Sequence, residues 1–406
     1  MSTPASSAAV SALGSRLADI GAELRRWRVF WSAHAFREPV LCWESELPEL
    51  AGALRALAAK ADSPAEAELR AEALLGRWFP VNRWRQLEDV SPTRGMQLRA
   101  WPRGMEREIP GRKWAQVVAF VAAMQHRHPV RAVDWCSGKA HLGRAIAAQW
   151  DGCEVLALER DPALVHAARE LSRRDGLTVW SECCDVLTEA VTGFLDPEML
   201  LLGLHACGEL HRRLLDVAIE RQVLGIACAP CCFHLGPDGH LPRSAAGRDA
   251  DPGIAARDLR TAVQEVVTAG GHARRRRVRL QTWQLGFDAM LREAHGKDGY
   301  TPVPTASSAG RAGDFPSFCN RAAESLGLSL PSDVVFGRWE ERGRERFREV
   351  GALDCVRRQF RRLLEVWLVT DLAVSLEEAG YSVRLERFCD ERISPRNLLL
   401  QAARVA

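Results

Sequence analysis

The sequence predicts an α/β protein: an open, mostly parallel sheet wrapped by helices and closed by a C-terminal β-hairpin, with an α-helical region ahead of it. Three observations carry this. From Val130 onward, short apolar runs alternate with amphipathic segments, the pattern of strands joined by crossover helices. An acidic residue stands at or just after the end of each of the first three runs: Asp134, Glu159 and Asp185. Residues 13–126 show helical spacing and no strand-like alternation of any length.

The elements follow in chain order. Residues 1–12 form a lead-in. Leu13, Leu17, Ile20, Leu24 and Trp27 recur at helical spacing, as do Leu47, Leu50, Leu54, Leu57 and Ala58. Ala65–Trp78 is rich in Ala, Glu and Leu, which favours helix. Pro80, Pro92, Pro102 and Pro110 divide the rest, and Trp78, Trp84, Trp101 and Trp114 are expected to pack helices. Strands are expected at Arg131–Trp135, Glu154–Leu158, Leu177–Cys183, Met199–Leu204 and Val223–Cys228. Helices are expected at His141–Trp150, Pro162–Arg173 (with Asp161 as its cap) and Glu209–Arg221. The alternation then stops. Residues 235–350 read as an insertion rich in Gly, Pro, Ser and Arg, with a helix over Ile254–Ala269 and loop around Gly296–Phe315. A long helix over Ala352–Ala379 precedes two apolar runs, Ser382–Phe388 and Asn397–Ala402, which pair as a hairpin about a turn holding Pro395. The domain reading is a helical accessory region over 1–126 and a sheet domain over 127–406, interrupted at about 235–350.

Composition sets the bounds. A chain of 406 residues fits one large domain and a smaller one. With 47% hydrophobic and 26% charged residues it is globular, which excludes a disordered chain. The net charge of +3 implies little by its sum. Its distribution is more informative: Arg274–Arg277 form an unbroken run with Arg279 behind it. A second cluster holds Arg342, Arg344, Arg346, Arg348, Arg357, Arg358, Arg361 and Arg362, partly interleaved with Glu341, Glu345 and Glu349. Such runs serve either as solvated helix faces or as contacts to RNA. Residues Met1–Val10 lack a basic segment followed by an apolar core, and no apolar run approaches the ~20 residues of a membrane span. The expectation is therefore a cytoplasmic protein with no membrane partner, whose twelve cysteines are reduced thiols. No oligomeric state is implied.

The strongest constellation is Val133-Asp134-Trp135-Cys136-Ser137-Gly138-Lys139-Ala140-His141-Leu142-Gly143. A sharp strand-to-helix turn needs small residues so that a ligand can reach the backbone, and the helix start offers free N–H groups. A dinucleotide loop would place glycines where Cys136 and His141 stand, and Asp134 would repel a diphosphate. A cofactor bearing an ammonium group suits Asp134 through charge-assisted hydrogen bonds, which favours S-adenosylmethionine over NAD. Glu159 then stands where an acid accepts from ribose hydroxyls, and Asp185 where one accepts from the adenine amino group. Cys136, Gly138 and Lys139 of the turn complete the expected cofactor contacts.

Here the sequence resembles a known family. The motifs Asp134-x-Cys136-x-Gly138-Lys139, Leu204-His205-x-Cys207-Gly208, Cys231-Cys232-Phe233-His234 and Ser394-Pro395-Arg396-Asn397 are similar to those of a group of class I methyltransferases. The group includes methyltransferase-like proteins, a tRNA 2′-O-methyltransferase and a protein with a glutathione-transferase-like C-terminal region. The resemblance covers about residues 128–235 and 350–404. It implies a Rossmann-like class I methyltransferase sheet, makes Cys136 an expected replacement for the usual first glycine, and implies that the turn holding Asn397 borders the active site.

In an open α/β sheet the ligand lies outside the carboxyl ends of the strands. That places His205 and Cys207 after the fourth strand, and Cys231, Cys232 and His234 after the fifth, near the transferred methyl group. Methyl transfer is a displacement that needs alignment above all. His205 is the candidate base or substrate contact and a further cofactor contact, with Cys207, His234 and Asn397 as the other candidate catalytic residues. His205 suits a buried structural role equally well, and His234 suits a structural role better, as a cap of its loop. Cys228-x-x-Cys231-Cys232-x-His234 has metal-like spacing. Adjacent strand residues point to opposite faces, however, so no metal site is expected while the strand continues. The expected function is methyl transfer to RNA, tRNA or rRNA, with a protein substrate next. A non-catalytic module that keeps the fold is the rival of a different class, and the poor dinucleotide loop argues against an oxidoreductase.

Overall fold

In the computed structural model the described residues are 11–405, apart from 62–63, 126–129, 237–239, 264–270, 297–298, 304–310 and 332. The strands are β1 (Arg131–Trp135), β2 (Glu154–Glu159), β3 (Val179–Cys183), β4 (Met199–Cys207), β5 (Gly225–Cys231), β6 (Tyr381–Arg387) and β7 (Leu398–Arg404). They form one seven-stranded sheet in the order β3-β2-β1-β4-β5-β7-β6. The first five are parallel, and β7 runs antiparallel to both β5 and β6. The α/β class, the parallel sheet and the terminal hairpin stand as the sequence predicts.

The helices are α1 (Ala12–Arg26), α2 (Arg28–Trp31), α3 (Pro48–Lys60), α4 (Pro64–Leu75), α5 (Val81–Glu88), α6 (Gly111–Ala123), α7 (His141–Gln149), α8 (Pro162–Asp175), α9 (Glu209–Glu220), α10 (Ala245–Asp249), α11 (Leu259–Val263), α12 (Gly271–His295), α13 (Phe315–Ser325), α14 (Phe336–Arg358) and α15 (Arg361–Glu378). The chain divides into two compact units. One comprises Met1–Arg26, Trp84–Val263 and Arg362–Ala406; the other comprises Trp27–Arg83 and Gln264–Arg361.

In the first unit, alternate strand residues feed two cores. Ala132, Val155, Leu200, Leu202, Ala227 and Leu399 face Val117, Phe120 and Val121 of α6 and Ala145 and Ile146 of α7. Val133, Trp135, Leu201, Ile226, Cys228 and Leu400 face Leu214 and Leu215 of α9 and Leu372 and Leu376 of α15. Covering both faces suits a parallel sheet. Strand order reverses at β1 and β4, and the crevice at such a switch point is where ligands bind. The cap of α8 is as the sequence predicts: Asp161 accepts from the Ala163 N–H at 2.8 Å, with Pro162 starting the helix.

The second unit holds the largest departure from expectation. Segment 271–358 is mostly helical, carried by α12, α13 and α14. Of the helix expected over Ile254–Ala269, α11 is described, while 264–270 lie outside the described residues. Leu280, Trp283, Phe287, Met290 and Leu291 recur on one face of α12 and pack with Phe315 and Phe318. The arginines ahead of them are good helix formers and extend that helix. A methyl group on Gly286 would lie 2.5 Å from the Trp339 carbonyl, and one on Gly343 would lie 2.4 Å from the Thr282 carbonyl, so glycine allows α12 and α14 to cross closely. Arg55 pairs with Glu44 at 2.7 Å and also with Glu349. The single helix expected over Ala352–Ala379 is two, α14 and α15, and the boundary between the units falls at this break. Among the described residues no helix is long and apolar enough to cross a membrane.

Candidate active site

The turn after β1 is held by acids from two strands. Asp134 is buried at the end of β1, and its Oδ2 accepts from the Gly143 N–H at 2.8 Å. Glu159, ending β2, accepts from the Gly138 N–H at 3.0 Å through Oε2 and from the Asp161 N–H at 3.0 Å through Oε1. Ser137 N–H donates to the Leu158 carbonyl at 2.9 Å. Cys136, Gly138 and Ala140 all adopt left-handed backbone, with φ of 55°, 58° and 52°. Among the described residues nothing lies within 4 Å of where a Gly138 side chain would begin, so the turn is open there. Asp185 caps the next turn by accepting from the Leu187 N–H at 3.0 Å.

Electrostatics show that these groups converge. Burial and the negative Glu159, Asp134 and Asp185 push the Cys136 thiol up to about 12. Burial pushes the Asp134 carboxyl up to about 7, opposed by the Gly143 N–H and by Lys113. Three carboxylates around one open turn form a site that prefers a ligand with cationic and hydroxyl groups. Asp134, Cys136, Gly138, Glu159 and Asp185 are brought together as the sequence predicts, and half-buried Lys139 lies in the same turn. Burial, followed by the positive Lys113, Arg144 and Lys139, pushes His141 down to about 4.

The ends of β4 and β5 make the opposite wall. His205 has φ 70° and lies at a break in the pairing of β4 with β5. It is exposed by area, and among the described residues its ring makes no hydrogen bond. The surrounding protein still desolvates it enough to lower its pKa, and Lys113 and Arg396 lower it further, opposed by Cys232. The structural role falls instead to His211, a buried ring with Nδ1 3.2 Å from the Ala206 carbonyl. Burial holds that ring neutral, with its pKa down to about 4.

Cys207, Cys231 and Cys232 cluster beside His205. The sulfurs of Cys207 and Cys231 are 3.2 Å apart, and all twelve cysteines are free. Hydrogen bonds from Cys207 and Cys231, with Arg396 and His234 nearby, hold the Cys232 thiol well below its usual range, while hydrogen bonding to its neighbours and burial push Cys231 up. His234 is half-buried, its Nδ1 makes no hydrogen bond among the described residues, and burial lowers its pKa.

Asn397 is fully buried. Its Oδ1 accepts from Arg362 Nη2 at 2.9 Å and its Nδ2 donates to the Cys389 carbonyl at 3.0 Å. Both ends are spent on the fold. Asn397→Ala should therefore cost about 1–3 kcal/mol in urea unfolding, the penalty for unpairing buried groups, and leave cofactor affinity near the wild-type value in the folded fraction. The residue its turn delivers to the site is Arg396, whose Nη1 lies 3.5 Å from Cys232 Sγ. Ser394 Oγ accepts from the Arg396 N–H at 3.2 Å and fixes that turn. Sequence reasoning missed Arg396 and Lys113 as site residues. Lys113 belongs to α6, well before the first strand, and no spacing tied it to the acids. Arg396 belongs to the Ser394-Pro395-Arg396-Asn397 motif, and nothing in that spacing distinguishes it from Asn397 as the residue that meets the cysteines.

A family model described as a methyltransferase domain matches residues 112–235. The human glutathione S-transferase C-terminal domain-containing protein is 27% identical over 117 residues, which is 29% of this chain and 18% of that protein. The chain thus covers less than a fifth of the length of the curated relatives it matches. Precorrin-6y C5,15-methyltransferase from Geobacter metallireducens is 14% identical, with a TM-score of 0.25 covering 30% of this chain and 64% of that one. A possible exported protein from Bordetella parapertussis is 13% identical, with a TM-score of 0.29 covering 98% of each chain. At these scores the fold stands on the sheet topology itself. The open glycine turn at the switch point and the acids Asp134, Glu159 and Asp185 around it all fall inside the matched stretch. The family match thus marks residues 112–235, which hold β1 to β5, as similar to a methyltransferase domain.

Proposed function

We propose that the chain transfers a methyl group from S-adenosylmethionine to RNA, of the tRNA or rRNA class. The observation that carries this reading is His205, exposed at the break in pairing between β4 and β5, where Lys113 and Arg396 both act on it. A neutral imidazole can accept the proton of a hydroxyl or amine nucleophile, and flanking cations suit a substrate that carries phosphates. Asp134, Glu159 and Asp185 would hold the donor, with Cys136, Gly138 and Lys139 letting it approach the backbone. S-adenosylmethionine supplies an electrophilic methyl group when bound there. Cys207 and His234 would line the substrate side, and Arg396 would hold substrate phosphate or the Cys232 thiolate.

The arginine runs support the reading unequally. In the second cluster, Arg342, Arg344, Arg346 and Arg357 are paired with Glu345, Glu341, Glu349 and Asp354, which suits a structural face. In the first, Arg274–Arg277 and Arg279 are all exposed on α12, and Arg279 stacks over Trp283 at 5.0 Å. Exposed arginines suit the phosphates of a nucleic-acid strand, while Trp283 itself is buried in the core of its unit. Replacing Arg274, Arg275 and Arg277 by alanine should lower the slope of log affinity against log salt for single-stranded RNA by about 2, at about 0.7 per phosphate contact.

The reading is tested by incubating the protein with labelled S-adenosylmethionine and cellular RNA and protein fractions. Label in nuclease-sensitive material, lost in His205→Ala, supports it. Label only in protease-sensitive material overturns the RNA assignment in favour of a protein substrate. Cofactor binding without transfer to either fraction overturns catalysis in favour of a binding module.

A further inference from the structure

The backbone is bent in two places so that three cysteine sulfurs meet. β4 and β5 pair in steady register from Leu200 opposite Gly225 to Leu204 opposite Ala229, then slip by one residue so that Cys207 stands opposite Cys231. The slip is a bulge that includes His205, at φ 70°. β5 ends at Cys231, and the next residue, Cys232, turns left-handed at φ 51°. A continuing strand would send Cys232 to the opposite face, and this turn removes the obstacle on which the expectation of no metal site rested. The outcome is three sulfurs that all lie within 4.8 Å of one another, with Arg396 Nη1 3.5 Å from Cys232 Sγ. Left-handed backbone at a non-glycine residue is uncommon and clusters at functional sites.

We propose that Cys207, Cys231 and Cys232 form a three-thiolate site for Zn²⁺ at the catalytic edge of the sheet. Tetrahedral zinc with bonds of about 2.3 Å sets its sulfurs about 3.8 Å apart, within the span of this cluster. Thiolate ligands select a thiophilic ion over Mg²⁺ or Ca²⁺. As each S–Zn bond forms, the sulfur's proton goes to solvent. Three thiolates and one Zn²⁺ leave a single negative charge, which the Arg396 guanidinium offsets. Three protein ligands leave the fourth position open, the arrangement of a catalytic rather than a closed structural zinc site. Bound zinc would also pin together the ends of β4 and β5, beside His205. The inference stands apart from the RNA assignment, since it concerns metal binding alone.

The test is titration of the reduced, metal-free, full-length protein with Co²⁺ under anaerobic conditions. The expected result is a thiolate-to-cobalt charge-transfer absorption that saturates at one equivalent and is displaced by Zn²⁺. Cys207→Ser and Cys232→Ser should each weaken cobalt binding at least tenfold, while replacing the exposed Cys183 by serine should not. Wild-type protein that shows no such band, or a band that both site variants leave intact, overturns the proposal. Should the serine variants fail to fold, wild type alone decides. Zinc should slow alkylation of Cys207, Cys231 and Cys232 at least tenfold by mass spectrometry, and unchanged rates overturn the site.

Discussion

Replacing Asp134 by asparagine should weaken binding of S-adenosylhomocysteine by about 10- to 100-fold at pH 8, the value of a charge-assisted hydrogen bond to an ammonium group. Asparagine keeps an oxygen for the Gly143 N–H, which Asp134 now bonds at 2.8 Å, so the turn should survive. The pH dependence separates charge from shape. The carboxyl is pushed up to about 7, so in the free protein it is largely neutral at pH 5. Wild-type affinity should rise with pH by up to tenfold per unit until about pH 7 and then level off, while the variant's affinity should stay nearly flat. Stability runs the other way. An acid whose pKa is raised on folding stabilises the native state below its unfolded value and loses that contribution as pH rises through the folded value. Between the ordinary 3.8 and about 7, the penalty for ionising Asp134 grows to about 4 kcal/mol at most. Wild type should therefore lose stability relative to Asp134→Asn between pH 4 and pH 7, as read by paired urea melts. A variant whose affinity and stability track wild type at every pH would show that Asp134 carries no titrating charge at this site.

Gly208→Ala should cost at least about 3 kcal/mol and abolish binding in whatever fraction remains folded. Gly208 joins β4 to α9 with φ 58° and ψ −120°, a conformation closed to side-chain-bearing residues. A methyl group there would stand 1.6 Å from the Leu235 carbonyl oxygen. That oxygen accepts from the Glu209 N–H at 2.9 Å, and the Gly208 N–H donates to the Cys231 carbonyl at 3.0 Å. The close approach thus ties the loop after β5 to the start of α9, beside His205 and Cys207. Gly236, one residue past Leu235, is the control. A methyl group there meets only the Glu209 carboxylate at 3.6 Å, so Gly236→Ala should stay within about 0.5 kcal/mol of wild type. Equal urea midpoints for the two variants would contradict this account of the turn.

The sheet was legible because its pattern is local. Each of β1 to β5 is an apolar run flanked by turn residues, and Asp134, Glu159 and Asp185 mark the carboxyl ends of successive strands. The hairpin was legible for the same reason, with Pro395 in the polar gap between its two runs. What escaped depends on contacts distant in sequence or on backbone angles. The arginines of 274–277 read as a charged run, yet they extend a helix whose apolar face begins at Leu280 and is completed by Phe315 and Phe318. Asn397 carries the chemistry of a site residue, and only the position of Arg362, thirty-five residues earlier, shows that its amide is buried and spent. No motif reveals that the charge of Lys113 on α6 acts on Asp134 of β1. The one-residue bulge at His205 and the left-handed turn at Cys232 are invisible in a string of residues. These two features shape the ends of β4 and β5: among the described residues they leave the His205 ring without a hydrogen bond and gather the three sulfurs.

The central claim, that the acid-ringed turn at the end of β1 binds S-adenosylmethionine, is tested most directly by calorimetric titration of the full-length protein with S-adenosylhomocysteine at pH 8. The account predicts saturable binding at one molecule per chain with micromolar affinity. No heat of binding across a concentration range reaching millimolar, from protein that melts cooperatively, would contradict it.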